Sequence, residues 1–315
     1  MRLVTFAPPN AFSPKAGRPG AVIALPEGDR VLELTPDLAH RASTVIDIVG
    51  DVEAHAAARD AVARAIEEGD VTRLPLLADL TLLPPITPGK ILCLGYNYRG
   101  HVPNGEDPTA GDPEYPDVFV KTPNVLGGPH DPVVLPTVST SVDYEGEIAL
   151  VIGKRAFDVP LESAMDYVAG YALFNDVSDR DWQARQSQWE LGKCFDGFGP
   201  LGPTLVTVDE IADPHNLLVE VVRDGVVTVS QSTSTMIFSM PFIVHYLSQV
   251  MTLEPGDIIS TGTPQKLPAA QEAHRPLTHG DAVTIRVAGI GELTTTFVNP
   301  APTHTSLLSN TGKAS

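Results

Sequence analysis

Glu145 and Glu147 stand two residues apart, and Asp176 follows them in the next strand-like segment. Both glutamates open the apolar run Ile148-Ala149-Leu150-Val151-Ile152, which reads as a buried strand. Side chains two apart on a strand share a face, about 7 Å apart along the chain. Tyr144, Ile148 and Leu150 then take the other face. Two like charges beside a core raise the free energy unless a positive charge sits between them. A hard divalent cation with oxygen ligands (Mg²⁺, Mn²⁺ or Ca²⁺) is the simplest such charge. Asp176 ends the expected strand from Tyr171 to Asn175 and is the natural third ligand.

Polar donors follow closely. Arg180 and Gln183 lie three apart on a helix expected over 181–191 and so share a face. Ser178 and Asp181 give that helix an S-x-x-D start. Lys193 comes after it. Three acids with three anion-friendly donors suit a metal and a carboxylate-bearing substrate. His101 sits in the loop Gly95-Tyr96-Asn97-Tyr98-Arg99-Gly100-His101 and is a candidate general base. Thr261-Gly262-Thr263-Pro264 follows a turn and a buried strand, and its hydroxyls and backbone could hold a carboxylate. Plainer readings stand beside these. Arg180 could serve only as the partner of Asp176 or Asp179, Gln183 as a solvated helix position, and His245 as a satisfied residue of an apolar helix.

The elements that would position these residues are mostly strands. Short strands are expected at 3–6, 21–25, 30–34, 91–95, 118–121, 144–152, 170–174, 204–208, 217–222, 226–229, 257–260 and 283–286. Helices are expected at 51–68, 181–191 and 240–249. The fold class is therefore α+β, β-rich, with mixed or antiparallel sheets. Pro84-Pro85-Ile86-Thr87-Pro88-Gly89 reads as a semi-rigid linker. It separates a small N-terminal α/β domain, 1–83, from a larger domain, 90–299, and the Ser/Thr-rich segment 300–315 reads as a frayed tail. The polar, Pro- and Gly-rich stretch from Asn97 to Pro116 reads as a lid.

Composition narrows the function. The 315 residues are 43% hydrophobic and carry a formal net charge of −18. That acidity, without any Lys/Arg cluster, argues against nucleic-acid and anionic-membrane surfaces. No apolar run is long enough to span a bilayer. Two cysteines give no disulfide framework, and the first residues lack the apolar stretch of a signal peptide, so a reducing cytoplasm is expected.

Taken in order, Gly95-Tyr96-Asn97-Tyr98 with His101, Asp143-Tyr144-Glu145-Gly146-Glu147, Asn175-Asp176-Val177-Ser178, Arg180-Asp181-Trp182-Gln183, Gly192-Lys193, Leu253-Glu254-Pro255-Gly256-Asp257 and Thr261-Gly262-Thr263-Pro264 resemble the fumarylacetoacetate hydrolase superfamily. The resemblance implies a mixed β-sheet roll with a small N-terminal domain, a homodimer, and one Mg²⁺ or Mn²⁺ per active site. It implies Glu145, Glu147 and Asp176 as metal ligands, and His101 and Lys193 as catalytic residues. Arg180, Gln183, Tyr98 and Thr263 are implied around a small oxo-acid substrate. Relatives commonly carry Glu three residues after the histidine. Here Asn104 holds that position, and Glu106 is the candidate carboxylate partner. Gln265-Lys266 stands where relatives often have glycines, which makes the pocket wall bulkier and adds a charge.

The activity expected first is metal-dependent hydrolysis of a carbon–carbon bond in a 2,4-dioxo acid of the acylpyruvate or fumarylpyruvate type. A metal-dependent 2-oxo acid decarboxylase or enol–keto isomerase of the oxaloacetate type is the alternative. Asn104 in place of Glu raises the standing of that alternative, because it needs only enolate stabilisation and proton delivery. A non-catalytic ligand-binding protein on the same scaffold is a third reading.

Overall fold

Val-, Ile- and Leu-rich runs with no helical period form strands here, and pairing them satisfies the backbone groups that burial takes from water. The structure is a computed structural model that describes residues 1–8, 17–34, 38, 42–101 and 111–301. The main sheet runs in the order Arg30–Glu33, Arg18–Ile23, Arg2–Phe6, Gly199–Thr207, Val168–Asn175, Gly146–Ile152, Ile258–Ser260, Ile91–Gly95 and Asp117–Lys121. Along this order the pairs are antiparallel except for Ile258–Ser260 beside Ile91–Gly95, and the short strand Leu126–Gly127 adds a second parallel pair beside Gly199–Thr207, so the sheet is mixed. A second sheet runs Val226–Ser232, Leu218–Arg223, Ala282–Val287, Gly291–Val298 and Val133–Val134. Helices are few, as the β-rich reading requires.

The strands Arg2–Phe6, Arg18–Ile23 and Arg30–Glu33 of the expected N-terminal domain, 1–83, are hydrogen-bonded into the main sheet. Arg2 and Leu3 pair with Val206 and Leu205. The physical reason is edge protection: without this pairing, that side of Gly199–Thr207 would present unpaired N–H and C=O groups. The helix Val52–Glu67 covers these strands. Asp51 caps it by accepting from the Ala54 N–H at 2.7 Å, and Ala54, Ala58 and Ala61 form its buried face.

One expected helix is much shorter than its sequence range. Only Arg180–Gln183 is helical in the first part of 181–191, and a second short turn, Glu190–Lys193, follows. Asp179, rather than Ser178, caps the first turn, accepting from the Trp182 N–H at 3.1 Å. Ser178 instead turns its hydroxyl back to the Asp176 carbonyl at 2.9 Å. Among the described residues, no helix is long and apolar enough to cross a membrane.

The two sheets press together at Gly146. A Cβ there would lie 2.5 Å from Val221 Cγ2 and 3.0 Å from Ile285 Cγ1. Glycine between the two glutamates is thus a packing requirement, and it lets the acidic strand start directly against the second sheet. Gly146→Ala is expected to overpack this junction and lower the unfolding free energy by about 1–3 kcal/mol. A urea unfolding curve checks this; an unchanged midpoint would refute the packing argument.

Candidate active site

Strand register gathers the acids. Gly146 pairs with Asn175 and Glu147 with Phe174, so the next position of each strand sets Asp176 opposite Glu145. The Asp176 N–H donates to the Glu145 carbonyl at 2.8 Å and locks that alignment. Glu145 lies just before the strand rather than inside it, which begins at Gly146. One carboxylate oxygen from each of Glu145, Glu147 and Asp176 lies within 4.8 Å of the others.

Buried cations hold two of the three. Lys193 Nζ donates to Glu145 Oε2 at 2.8 Å and to Asp176 Oδ2 at 2.6 Å. Lys121 Nζ donates to Asp176 Oδ1 at 2.5 Å and to the Val177 and Phe198 carbonyls at 3.0 and 2.7 Å, which fills its three N–H donors. Arg180 Nη1 donates to Glu145 Oε1 at 2.6 Å and to Gln183 Oε1 at 2.9 Å. Burial would raise the Glu145 pKa, but Lys193 and Arg180 overcome it and hold the carboxyl well below its ordinary range. Burial also opposes the charge of Lys193, yet Asp176 and Glu145 raise its pKa above the usual lysine value.

Glu147 differs. Its Oε2 accepts from Ser260 Oγ at 2.5 Å and from the Gly262 N–H at 2.9 Å. Its Oε1 is buried with no hydrogen-bond partner, and no cation pairs with it among the described residues. Burial, then Asp176 and Glu145, push its pKa well above the carboxylate range. Three converging oxygens, one of them an orphan, fit a hard divalent cation that would supply the missing positive charge. The Gly262 backbone has φ +92, and a Cβ there would lie 3.1 Å from the Leu94 carbonyl, so glycine is what lets this N–H reach Glu147.

Beside the acids is a cavity of about 650 Å³, lined among others by Tyr96, His101, Glu145, Arg180, Gln183, Trp189, Lys193, Thr263 and Lys266. His101 Nδ1 lies 2.9 Å from the Thr263 carbonyl. A carbonyl only accepts, so Nδ1 carries the proton and Nε2 keeps its lone pair. Burial lowers the His101 pKa and favours the neutral ring. Thr263 spends its hydroxyl on the Gly146 carbonyl at 3.1 Å.

Tyr98 is placed elsewhere than the sequence reading put it. It is fully buried in the core, bridges to Met236 through its backbone and does not line the cavity. The strand ends at Gly95, and Tyr96 adopts φ 50, a left-handed turn that breaks side-chain alternation. Asn97 fixes the turn by donating to the Phe238 and Thr261 carbonyls. Tyr96 takes the cavity wall instead, edge-on to His101 and Trp189. Glu106, Asn104 and the middle of the expected lid, residues 102–110, lie outside the described residues.

Comparison with known proteins identifies the family. The sequence profile described as "Fumarylacetoacetate (FAA) hydrolase C-terminal" matches residues 90–298. The chain is 38% identical over 296 residues to the mitochondrial oxaloacetate tautomerase FAHD2A of Bos taurus, covering 92% of this chain and 90% of that protein. Its fold matches the 5-carboxymethyl-2-hydroxymuconate delta-isomerase of Mycobacterium smegmatis with a TM-score of 0.72 and 32% identity, over 96% of this chain and 100% of that one. It also matches the maleylpyruvate hydrolase of Sphingobium sp. SYK-6 in complex with manganese(II) ion and pyruvate, with a TM-score of 0.73 and 30% identity, over the same shares of the two chains. The chain belongs to the fumarylacetoacetate hydrolase family and is an enzyme of it.

Glu147→Gln separates metal binding from folding. Glutamine resembles the protonated carboxyl that burial favours in the metal-free protein. The metal-free variant is therefore expected to melt at or above the wild-type temperature. The rise in melting temperature that Mn²⁺ gives the wild type is expected to disappear. Thermal melts with and without Mn²⁺ check both; a retained Mn²⁺ shift would remove Glu147 from the ligand set.

Proposed function

We propose that this protein is a divalent-metal-dependent tautomerase that interconverts the enol and keto forms of an oxaloacetate-type 2-oxo acid. The observation that carries this reading is the company His101 keeps. Its Nδ1 donates to the Thr263 carbonyl, which leaves Nε2 as the nitrogen without a proton. A neutral imidazole with a free Nε2 suits the task of moving one proton at C3 of a 2-oxo acid. The activities named for the bovine and mycobacterial relatives, a tautomerase and an isomerase, support the same choice over the hydrolase expected first.

Glu145, Glu147 and Asp176 would hold Mg²⁺ or Mn²⁺, which supplies Lewis acidity toward the 2-oxo group and the enolate oxygen. In the keto-to-enol direction His101 Nε2 takes the proton from C3 and delivers it to the oxygen on C2, and the reverse direction moves the same proton back to C3. Lys193 and Arg180 stand ready for oxygens that gain charge, and Lys193 is held in place by two carboxylates before substrate arrives. Gln183 orients Arg180 from one side. Tyr96, Trp189 and Phe119 stack edge-on and give the cavity an apolar wall that limits water near the reacting carbon. The mitochondrial placement of the bovine relative and the cytoplasm expected here are both compatible with two unpaired cysteines.

Hydrolysis of a 2,4-dioxo acid keeps one support, the fold shared with a maleylpyruvate hydrolase. The two reactions separate cleanly. With Mg²⁺ or Mn²⁺, the ultraviolet absorbance of enol oxaloacetate is expected to decay faster with the protein than without it, and a chelator to abolish the difference. Lys193→Met is expected to lower kcat by about 10²-fold or more. No acceleration of that decay, together with pyruvate release from an acylpyruvate, would return the reading to a hydrolase.

A further inference from the structure

The ion pairs around the cavity form a closed set. Asp143 pairs with Arg180 and Lys266, Glu145 with Arg180 and Lys193, and Asp176 with Lys193 and Lys121. Glu147 joins the acids without a cation of its own. Four carboxylates thus face four cations among the described residues. A divalent cation bound to the acids leaves two positive charges uncompensated in a site shielded from water. Uncompensated charge in such a site is costly, and a ligand that cancels it is favoured. A simple 2-oxo monoacid cancels one charge; a dicarboxylic acid cancels both.

The second anionic group has an address. Lys266 lines the cavity, and only 17% of its side chain is exposed. Its Nζ donates to Asp143 Oδ1 at 2.6 Å and Oδ2 at 2.8 Å, and its third N–H meets only a long 3.4 Å contact with His274 Nδ1. The ammonium rests 4.3 Å from the Tyr144 ring centroid, a cation–π contact that fixes its position. Gln271 donates to the Lys266 carbonyl at 2.6 Å and holds the backbone of this wall. Asp143 also binds Arg180, which reaches Glu145, so Lys266 is joined to the metal-facing acids yet set apart from them. One weakly used N–H on a buried, pre-positioned ammonium is a good donor to a carboxylate.

We propose that Lys266 is a specificity-determining residue that receives the distal carboxylate of a dicarboxylic 2-oxo acid. The proposal rests on the 2-oxo acid reading of the site and adds the feature that separates oxaloacetate-type substrates from monocarboxylic ones.

Two stable probes differ only at the group in question. L-malate and L-2-hydroxybutyrate share a 2-hydroxy carboxylate; malate ends in a carboxylate where the other ends in a methyl. Calorimetric titration of the full chain loaded with Mn²⁺ is expected to show malate bound about tenfold or more tighter. Lys266→Met is expected to bring the two affinities within about threefold of each other, since the charged contact is gone. Lys266→Arg is expected to keep the preference for malate. The Mn²⁺ affinity of each variant, measured in the same experiment, shows whether its acidic cluster is intact; Lys266→Gln replaces Lys266→Met if it is not. Equal binding of the two probes by the wild type overturns the proposal, as does a malate preference that survives Lys266→Met. If enol oxaloacetate decay is not accelerated while the Lys266-dependent preference holds, the tautomerase reading falls and the Lys266 assignment stands.

Discussion

Burying three carboxylates within reach of one another is the constraint around which this protein is built. In isolation such a cluster would protonate or repel itself apart. Lys193 placed between Glu145 and Asp176, with Lys121 behind Asp176, gives two of the acids buried cationic partners. The third, Glu147, keeps one buried oxygen without a partner. The cluster is thus neutralised enough to fold and left incomplete enough to demand a cation. That balance explains why so much of the sheet's interior is polar at this one place.

The sheets make the balance possible. Antiparallel pairing of Gly146–Ile152 with Val168–Asn175 aligns Asp176 with Glu145, and the hydroxyl of Ser260 comes from the strand on the other side. Each ligand is therefore anchored on or beside a strand, which is stiffer than a loop. The face opposite the acids carries Ile148 and Leu150 into the apolar core. Arg180, Gln183 and Lys193 come from two short turns that follow, and a long helix there would have carried Gln183 and Lys193 apart. Gly192 shows how tightly the turns fold together: a Cβ on it would lie 2.5 Å from the Gln183 nitrogen.

The same logic reaches the substrate wall. His101 reads its tautomer from the Thr263 carbonyl, and Thr263 is tied to Gly146 between the two glutamates. Asp143 stays ionised, its pKa lowered to about 2 because Arg180 and Lys266 outweigh the burial that would raise it. The acids, His101 and the cavity wall are thus tied together through hydrogen bonds and the backbone between them.

Much of this was legible in the sequence. The strand run after Glu147, the acids two apart, Asp176 at a strand end, and the order of motifs point to the family and to the three acids that converge, because period-two alternation and residue chemistry are local properties. Three features needed the tertiary structure. Lys121 reads as an ordinary strand-end lysine, yet it shares a face with buried Phe119 while Val118 and Val120 are exposed; only the packing of Asp176 behind that strand inverts the usual hydropathy. Tyr98 is the tyrosine implied beside the substrate, but a left-handed residue at the strand end turns Tyr96 into the cavity instead. The strands Arg2–Phe6, Arg18–Ile23 and Arg30–Glu33 lie before the proline-rich linker along the chain and join the main sheet in space, because an unpaired edge strand is satisfied by whichever partner the fold brings to it. The sequence by itself determined which acidic, basic and hydroxyl groups are available to the site; distant packing decided which charges meet and which side chain lines the cavity, since neither depends on neighbours in the chain.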